Sequence, residues 1–382
     1  MLEANAAAEV GEQAAKSKLA TYTEYRAHRY FPALDGLRAV AILLVFATHI
    51  TDQRVLGRLH GGFGVTIFFV LSGFLITTLA LREEDRRSRL NIRAFFIRRV
   101  FRIAPSYALV LGVYTLALVV GYYKGFKHQI LADQLPYFAL GFPEHGHFAY
   151  DAAALQLPFA QAWSIGIEEK FYLVWPLLAF GLLAAWRWIR PPLAVVLGLF
   201  CAVTPLLFHN GVYIEWYAQI LAGCFVAFLL HDERAYGYLR RVASSWVFYG
   251  VLIAYWAVML GSSADSIHFR ALTNFTAAIT AIALVGLVMR TTGIVRGLQT
   301  KPMLFMGRIS YVFYLIHPLV ILAVEKSPFD HFHQRWGVLV IAVVALPISI
   351  AASYVIHRLV ELPMIHIGRR LGNRDASVMH SV

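Results

Sequence analysis

Apolar runs long enough to cross a bilayer recur from residue 37 to residue 357, and this pattern constrains the fold more than any other feature of the chain. Inside hydrocarbon every backbone N–H and C=O needs a partner within its own segment, so continuous runs of this length fold as helices. Composition agrees, since 59% of the 382 residues are hydrophobic and only 15% are charged, against about 25% charged in an ordinary soluble domain. The expected fold class is an all-α integral membrane protein of about ten transmembrane helices, near residues 38–53, 62–81, 104–121, 165–184, 193–208, 214–230, 246–262, 271–289, 303–323 and 337–357. No repeat or low-complexity tract divides the chain. The expected domains are a polar cytosolic N-terminal extension at 1–30, a transmembrane domain at 31–365 and a short cytosolic tail at 366–382. The extension lacks the basic start and short apolar core of a signal peptide. Cys201 and Cys224 lie in apolar runs without ligand spacing and read as packing residues.

Basic residues set the expected orientation. Leu81 to Arg102 holds eight arginines: Arg82, Arg86, Arg87, Arg89, Arg93, Arg98, Arg99 and Arg102. With that segment inside, an even number of helices places both termini in the cytoplasm. The formal charge of +12 is then a topology signal. No interleaving of basic and aromatic residues suggests a nucleic-acid surface, so no nucleic-acid partner is expected.

Four stretches set polar groups in apolar surroundings. In FPALDGLRAVAILLVFATHI, from Phe31 to Ile50, Arg38 and His49 are eleven residues apart, which puts them on one helix face about 16 Å apart along the axis. Asp35 is close enough to pair with Arg38, and a histidine there can serve as a general base. The alternative is that Arg38 snorkels to a headgroup while His49 ends the helix. In RAFFIRRVFRIAP, the spacing of Arg98, Arg99 and Arg102 lets their guanidiniums converge on a polyanion such as a coenzyme A headgroup. The positive-inside rule alone would also place basic residues there.

In WSIGIEEKFYLVWPLL, from Trp163, Ser164, Glu168, Glu169 and Tyr172 gather at a membrane-proximal helix start, with Glu168 expected inward as the partner of His49. Acidic residues also suit a helix N-terminus without any further role. In FMGRISYVFYLIHPL, from Phe305, Ser310, Tyr311, Tyr314 and His317 are buried in the ninth predicted helix, where a lone histidine can equally be a packing residue. The alternate pairs His145 and His147, and His331 and His333, sit in predicted loops that fix no spacing, so no metal site is expected.

Taken in order, these blocks resemble the acyltransferase 3 family of multi-pass membrane proteins. The resemblance spans about residues 30–365 and also takes in GGFGVTIFFVLSGFLIT from Gly61. It implies transfer of an acyl group, usually acetyl from cytosolic acetyl-CoA, to a hydroxyl of a carbohydrate or glycolipid acceptor in a bacterial inner membrane. It further implies that the Arg38 and His49 pair and the RxxR pair Arg99 and Arg102 matter to activity; the expected mechanism has His49 as general base or transient acyl carrier, aided by Arg38 and Glu168, with the donor phosphates on Arg98, Arg99 and Arg102. Four positions depart from the family pattern: Thr66, Ile165, Lys170 and Leu362. Some members append a secreted esterase-type domain. This chain ends about 25 residues after its last predicted helix, so any such partner is expected to be a separate protein or unnecessary. The rival class is a multi-pass transporter using buried His and Glu as a proton relay, but no inverted repeat is visible. The acceptor's identity and the oligomeric state stay open at this level.

Overall fold

The computed structural model describes residues 19–28, 30–50, 62–145, 157–207, 214–244, 267–290, 294–325 and 330–378. Within them the fold is all-helical apart from an isolated antiparallel bridge between Leu19 and Arg290. Among the described residues, six helical stretches are long and apolar enough to cross a membrane: Pro32–Ile50, Phe63–Arg87, Ile92–Val119, Arg187–Thr204, Lys301–Glu325 and Ile341–Asn373. Glu215–His231 and Ala277–Met289 are shorter apolar helices. The chain is an integral membrane protein. The predicted span at 246–262 lies outside the described residues.

In chain order the helices are α1 (Tyr22–Ala27), α2 (Pro32–Ile50), α3 (Gly62–Arg87), α4 (Ile92–Val119), α5 (Gly125–Ala139), α6 (Trp163–Pro176) and α7 (Arg190–Leu207). They continue with α8 (Glu215–His231), α9 (Glu233–Ser244), α10 (Ile267–Met289), α11 (Ile294–Leu298), α12 (Lys301–Glu325), α13 (Asp330–Ile356) and α14 (Leu362–Val378). Two boundaries differ from expectation in ways that matter. Helix α2 begins at Pro32, six residues before the predicted start, because proline's fixed φ and missing N–H suit a first helical position. Helix α4 begins at Ile92, where Asn91 accepts from the Ala94 N–H as its cap. Arg38 and the arginines of α4 therefore sit inside helices with fixed directions instead of at their edges.

Small residues let backbones touch where helices cross. A Cβ on Gly73 of α3 would lie 1.8 Å from the Ile220 carbonyl oxygen of α8, and one on Gly223 would lie 2.0 Å from that of Val70. On the other side of α3, α2 meets α12 with Gly307 pressed on Asp35, whose carbonyl oxygen a Cβ would approach to 2.0 Å. One apolar cluster joins α2, α4, α12 and α13, and a second joins α3, α6, α7 and α8. The two clusters flank a polar space between them.

The first and last described helices pack on this bundle. Thr21 caps α1 in a reciprocal box with Glu24, and Arg26 reaches Asp85 of α3 at 2.5 Å. Helix α14 lies along α4, with Gly368 against Phe101 and Gly372 against Ala94. A π-helical turn, Leu177–Leu182, follows Pro176, which cannot donate the bond that would continue an α-helix.

Candidate active site

Five helices contribute to a cavity of about 90 Å3, room for several waters. From α2 comes Arg38, from α3 Ser72, from α4 Arg99 and Arg102, from α6 Ser164, Glu168, Glu169 and Tyr172, and from α12 Arg308, Ser310, Tyr311 and Tyr314. Ten of the residues singled out in the sequence thus share one space. Asp35, His49, Arg98 and His317 do not line it.

Each wall is held by specific bonds. The Ser72 hydroxyl donates to Glu168 Oε1 at 2.8 Å, and the Tyr172 hydroxyl donates to Glu168 Oε2 at 3.2 Å. Glu168 is therefore engaged by α3 and its own helix, not by His49. Glu169 lines the same cavity, although consecutive positions on a helix diverge by about 100°. Both glutamates fall in the second turn of α6, because the helix begins at Trp163.

The Arg99 guanidinium lies 4.8 Å from the Tyr172 ring centroid, a cation–π distance, while Arg98 turns away to Glu83 at 2.7 Å. The three arginines therefore do not converge, and only Arg99 and Arg102 face the cavity. Arg38 has Asp35 at 3.7 Å, and Asp35 also accepts from the Tyr30 hydroxyl. On α12, Tyr314 donates to the Gln161 carbonyl at 2.9 Å, so the Ser164 hydroxyl, 2.7 Å away, donates to Tyr314. Tyr311 donates to the Ile103 carbonyl at 2.9 Å.

The charge in this space does not balance. Four guanidiniums, of Arg38, Arg99, Arg102 and Arg308, face two carboxylates, of Glu168 and Glu169. Of these four guanidiniums, the one with a carboxylate within 4 Å among the described residues is Arg38, whose partner Asp35 stands outside the cavity. Excess positive charge in a low-dielectric interior is costly, and it is the environment that a bound anion relieves.

His49 stands at the far end of α2. Its Nδ1 is 2.8 Å from the Val45 carbonyl oxygen, which can only accept, so Nδ1 carries the proton and Nε2 is left as a bare lone pair. His49 is open to its surroundings, and its ring meets that of His317 edge-to-face with centroids 4.8 Å apart. His317 follows Tyr314 by one turn of α12.

Two polar cavity residues, Arg308 and Ser72, escaped the sequence reading. Arg308 carried the same signal as Arg38, a charge inside a predicted span. Ser72 carried none, since a lone serine in an apolar helix is commonplace. Of the departures from the family pattern, Ile165 lines the cavity, Thr66 is buried in α3, and Lys170 is held at 2.6 Å by Glu144 outside the cavity. His145 stacks on Tyr137, while His147 and the side chains of His331 and His333 lie outside the described residues.

Comparison with known proteins bears on this arrangement. The chain is 29% identical over 324 residues to the peptidoglycan O-acetyltransferase OatA of Listeria monocytogenes, covering 77% of this chain and 50% of that protein. It is 29% identical over 325 residues to the putative peptidoglycan O-acetyltransferase YrhL of Bacillus subtilis, covering 79% and 50% respectively. A putative O-acetyltransferase of Staphylococcus aureus is 35% identical over 175 residues, covering 44% of this chain and 28% of that protein. The chain spans about half the length of the first two relatives. No solved structure matches it. The acyltransferase 3 model, described as an acyltransferase domain, matches residues 31–358, nearly the whole helical bundle around the cavity, and the chain belongs to that family.

Proposed function

We propose that the protein is a membrane O-acetyltransferase that moves an acetyl group from acetyl-CoA to a hydroxyl of a carbohydrate acceptor, in a bacterial inner membrane. The observation that carries this reading is the excess of guanidinium over carboxylate in a cavity built by five helices. Coenzyme A brings a pyrophosphate and a 3′-phosphate, the groups that forked guanidiniums bind in pairs. Arg99 and Arg102 hold the phosphates, with Arg308 beside them, and the thioester arm enters the cavity toward Arg38. The names of the relatives, peptidoglycan O-acetyltransferases, support a cell-wall glycan as the acceptor class.

The chemistry assigned to this chain's residues is general base catalysis. The bare Nε2 of His49, oriented by the Val45 carbonyl, takes the proton of the acceptor hydroxyl. The oxygen attacks the thioester carbonyl, and negative charge develops on the carbonyl oxygen of the tetrahedral intermediate. The carbon–sulfur bond then breaks and the departing thiolate takes the proton. Glu168, braced by Ser72 and Tyr172, orients the polar wall opposite Arg38.

The test uses purified chain in lipid nanodiscs, radiolabelled acetyl-CoA and a peptidoglycan-derived oligosaccharide. Transfer to the glycan as an alkali-labile ester is expected. His49→Ala is expected to lower the rate at least about 100-fold while acetyl-CoA still binds, as loss of a general base does. Full transfer by His49→Ala would remove the histidine from the mechanism.

A further inference from the structure

His317 has an environment that packing alone does not explain. It is fully buried, its ring stacks on Phe313 with centroids 5.8 Å apart, and Phe46 closes on it from α2 at 6.3 Å. Its Nδ1 lies 3.0 Å from the Phe313 carbonyl oxygen, which accepts, so the ring is the Nδ1–H tautomer. Its Nε2 is then a buried acceptor with no hydrogen-bond partner among the described residues. A phenylalanine would fill the same aromatic box without leaving an acceptor unsatisfied, a condition that buried polar atoms rarely show. Beside it stands a second imidazole, that of His49, with ring centroids 4.8 Å apart and ring planes at 88°.

The two histidines are built alike. Each donates Nδ1–H to the carbonyl four residues earlier, and each is left with Nε2 as a lone pair. They differ in access, since His49 is open and His317 is sealed. The open ring can meet an acceptor hydroxyl, while the sealed ring has its fellow imidazole beside it.

We propose that His317 is the positioning residue that holds the proton His49 has taken, a step that rests on the acetyl-transfer reading above. The acceptor O–H bond breaks and its proton goes to His49 Nε2. A small rotation of the His49 ring then aims that new N–H at His317 Nε2, forming an N–H···N hydrogen bond. The proton is shared by the pair while the acceptor oxygen bonds to the acyl carbon and the carbon–sulfur bond breaks. The thiolate finally takes it from His49, and both rings return to neutral. In the resting state the orphan nitrogen waits for a hydrogen bond that exists only during turnover, which is where a stabilising contact accelerates a reaction.

Two substitutions and one spectrum test this. His317→Phe keeps the ring contacts and removes the acceptor, and His317→Gln returns an acceptor in the amide oxygen. In nanodiscs, His317→Phe is expected to lower kcat about 100-fold with KM for acetyl-CoA unchanged, and His317→Gln to recover about tenfold of that loss. Nitrogen NMR of 15N-histidine-labelled wild-type protein in acid is expected to show a coupling across an N–H···N bond between the two rings. Wild-type kcat in His317→Phe at equal folded amount would overturn the proposal while leaving acetyl transfer standing. If the wild-type protein transfers no acetyl group, the acetyl-transfer reading fails instead. The coupling then decides whether the histidine pair exists, and its absence would overturn the pair as well. Should His317→Phe fail to fold, His317→Gln and the spectrum decide by the same criteria.

Discussion

A guanidinium inside a membrane domain is tolerated where something answers its charge; Arg99 lies over the Tyr172 ring, and among the described residues neither Arg99 nor Arg102 has a carboxylate within 4 Å, which leaves a bound anion to answer them. On the donor-binding role proposed above, replacing either by alanine removes charge-assisted bonds to the donor phosphates, each worth about 1.5–3 kcal/mol, so KM for acetyl-CoA is expected to rise roughly tenfold to a hundredfold. Arg98→Ala, whose partner is Glu83, is expected to leave KM unchanged. Steady-state kinetics on the three variants checks the split. A uniform effect of all three would mean that the arginines act through topology alone. Arg38 and His49 were legible in the sequence because a polar group in an apolar run is conspicuous. The partner of Glu168 was not, because Ser72 lies 96 residues away and only tertiary packing brings them together.

Where helices cross at glycine, stability rests on backbones in contact. Gly73→Val or Gly223→Val would drive a side chain into a carbonyl of the facing helix, α8 or α3. Overpacking of this kind costs about 1–3 kcal/mol or more, and a lowered Tm with loss of the monodisperse peak in detergent is expected. Gly237→Ala, where a Cβ meets nothing within 4 Å, is the control and is expected to behave as wild type. The long apolar helices were readable from hydropathy, as their length and composition suffice. Helix α9, the amphipathic α14 and the arginine-rich first turns of α4 were not, because a hydropathy scan finds spans and these stretches are too polar to be spans. That is also why the arginines seemed able to converge. Only the direction of α4 shows that Arg98 leaves the face shared by Arg99 and Arg102.

For the molecule as a whole, sidedness links the site to its substrates. On the proposed topology the arginine-rich turn between α3 and α4 lies in the cytoplasm, with the donor, and His49 lies toward the opposite face, with the acceptor. Ser88→Cys, in a chain whose buried Cys201 and Cys224 are replaced by alanine, is expected to react with an impermeant maleimide only in inverted vesicles. Tyr122→Cys, at the other end of α4, is expected to react only in right-side-out cells. Labelling of both from one side would overturn the path proposed along α2. The central claim, acetyl transfer to a surface glycan through His49, is tested most directly by mass spectrometry of cell-wall glycans from cells carrying the wild-type gene, the His49→Ala gene or no gene. A sugar heavier by one acetyl group is expected with the wild-type gene alone; glycans of identical mass in all three, or acetylation persisting with His49→Ala, would overturn this role.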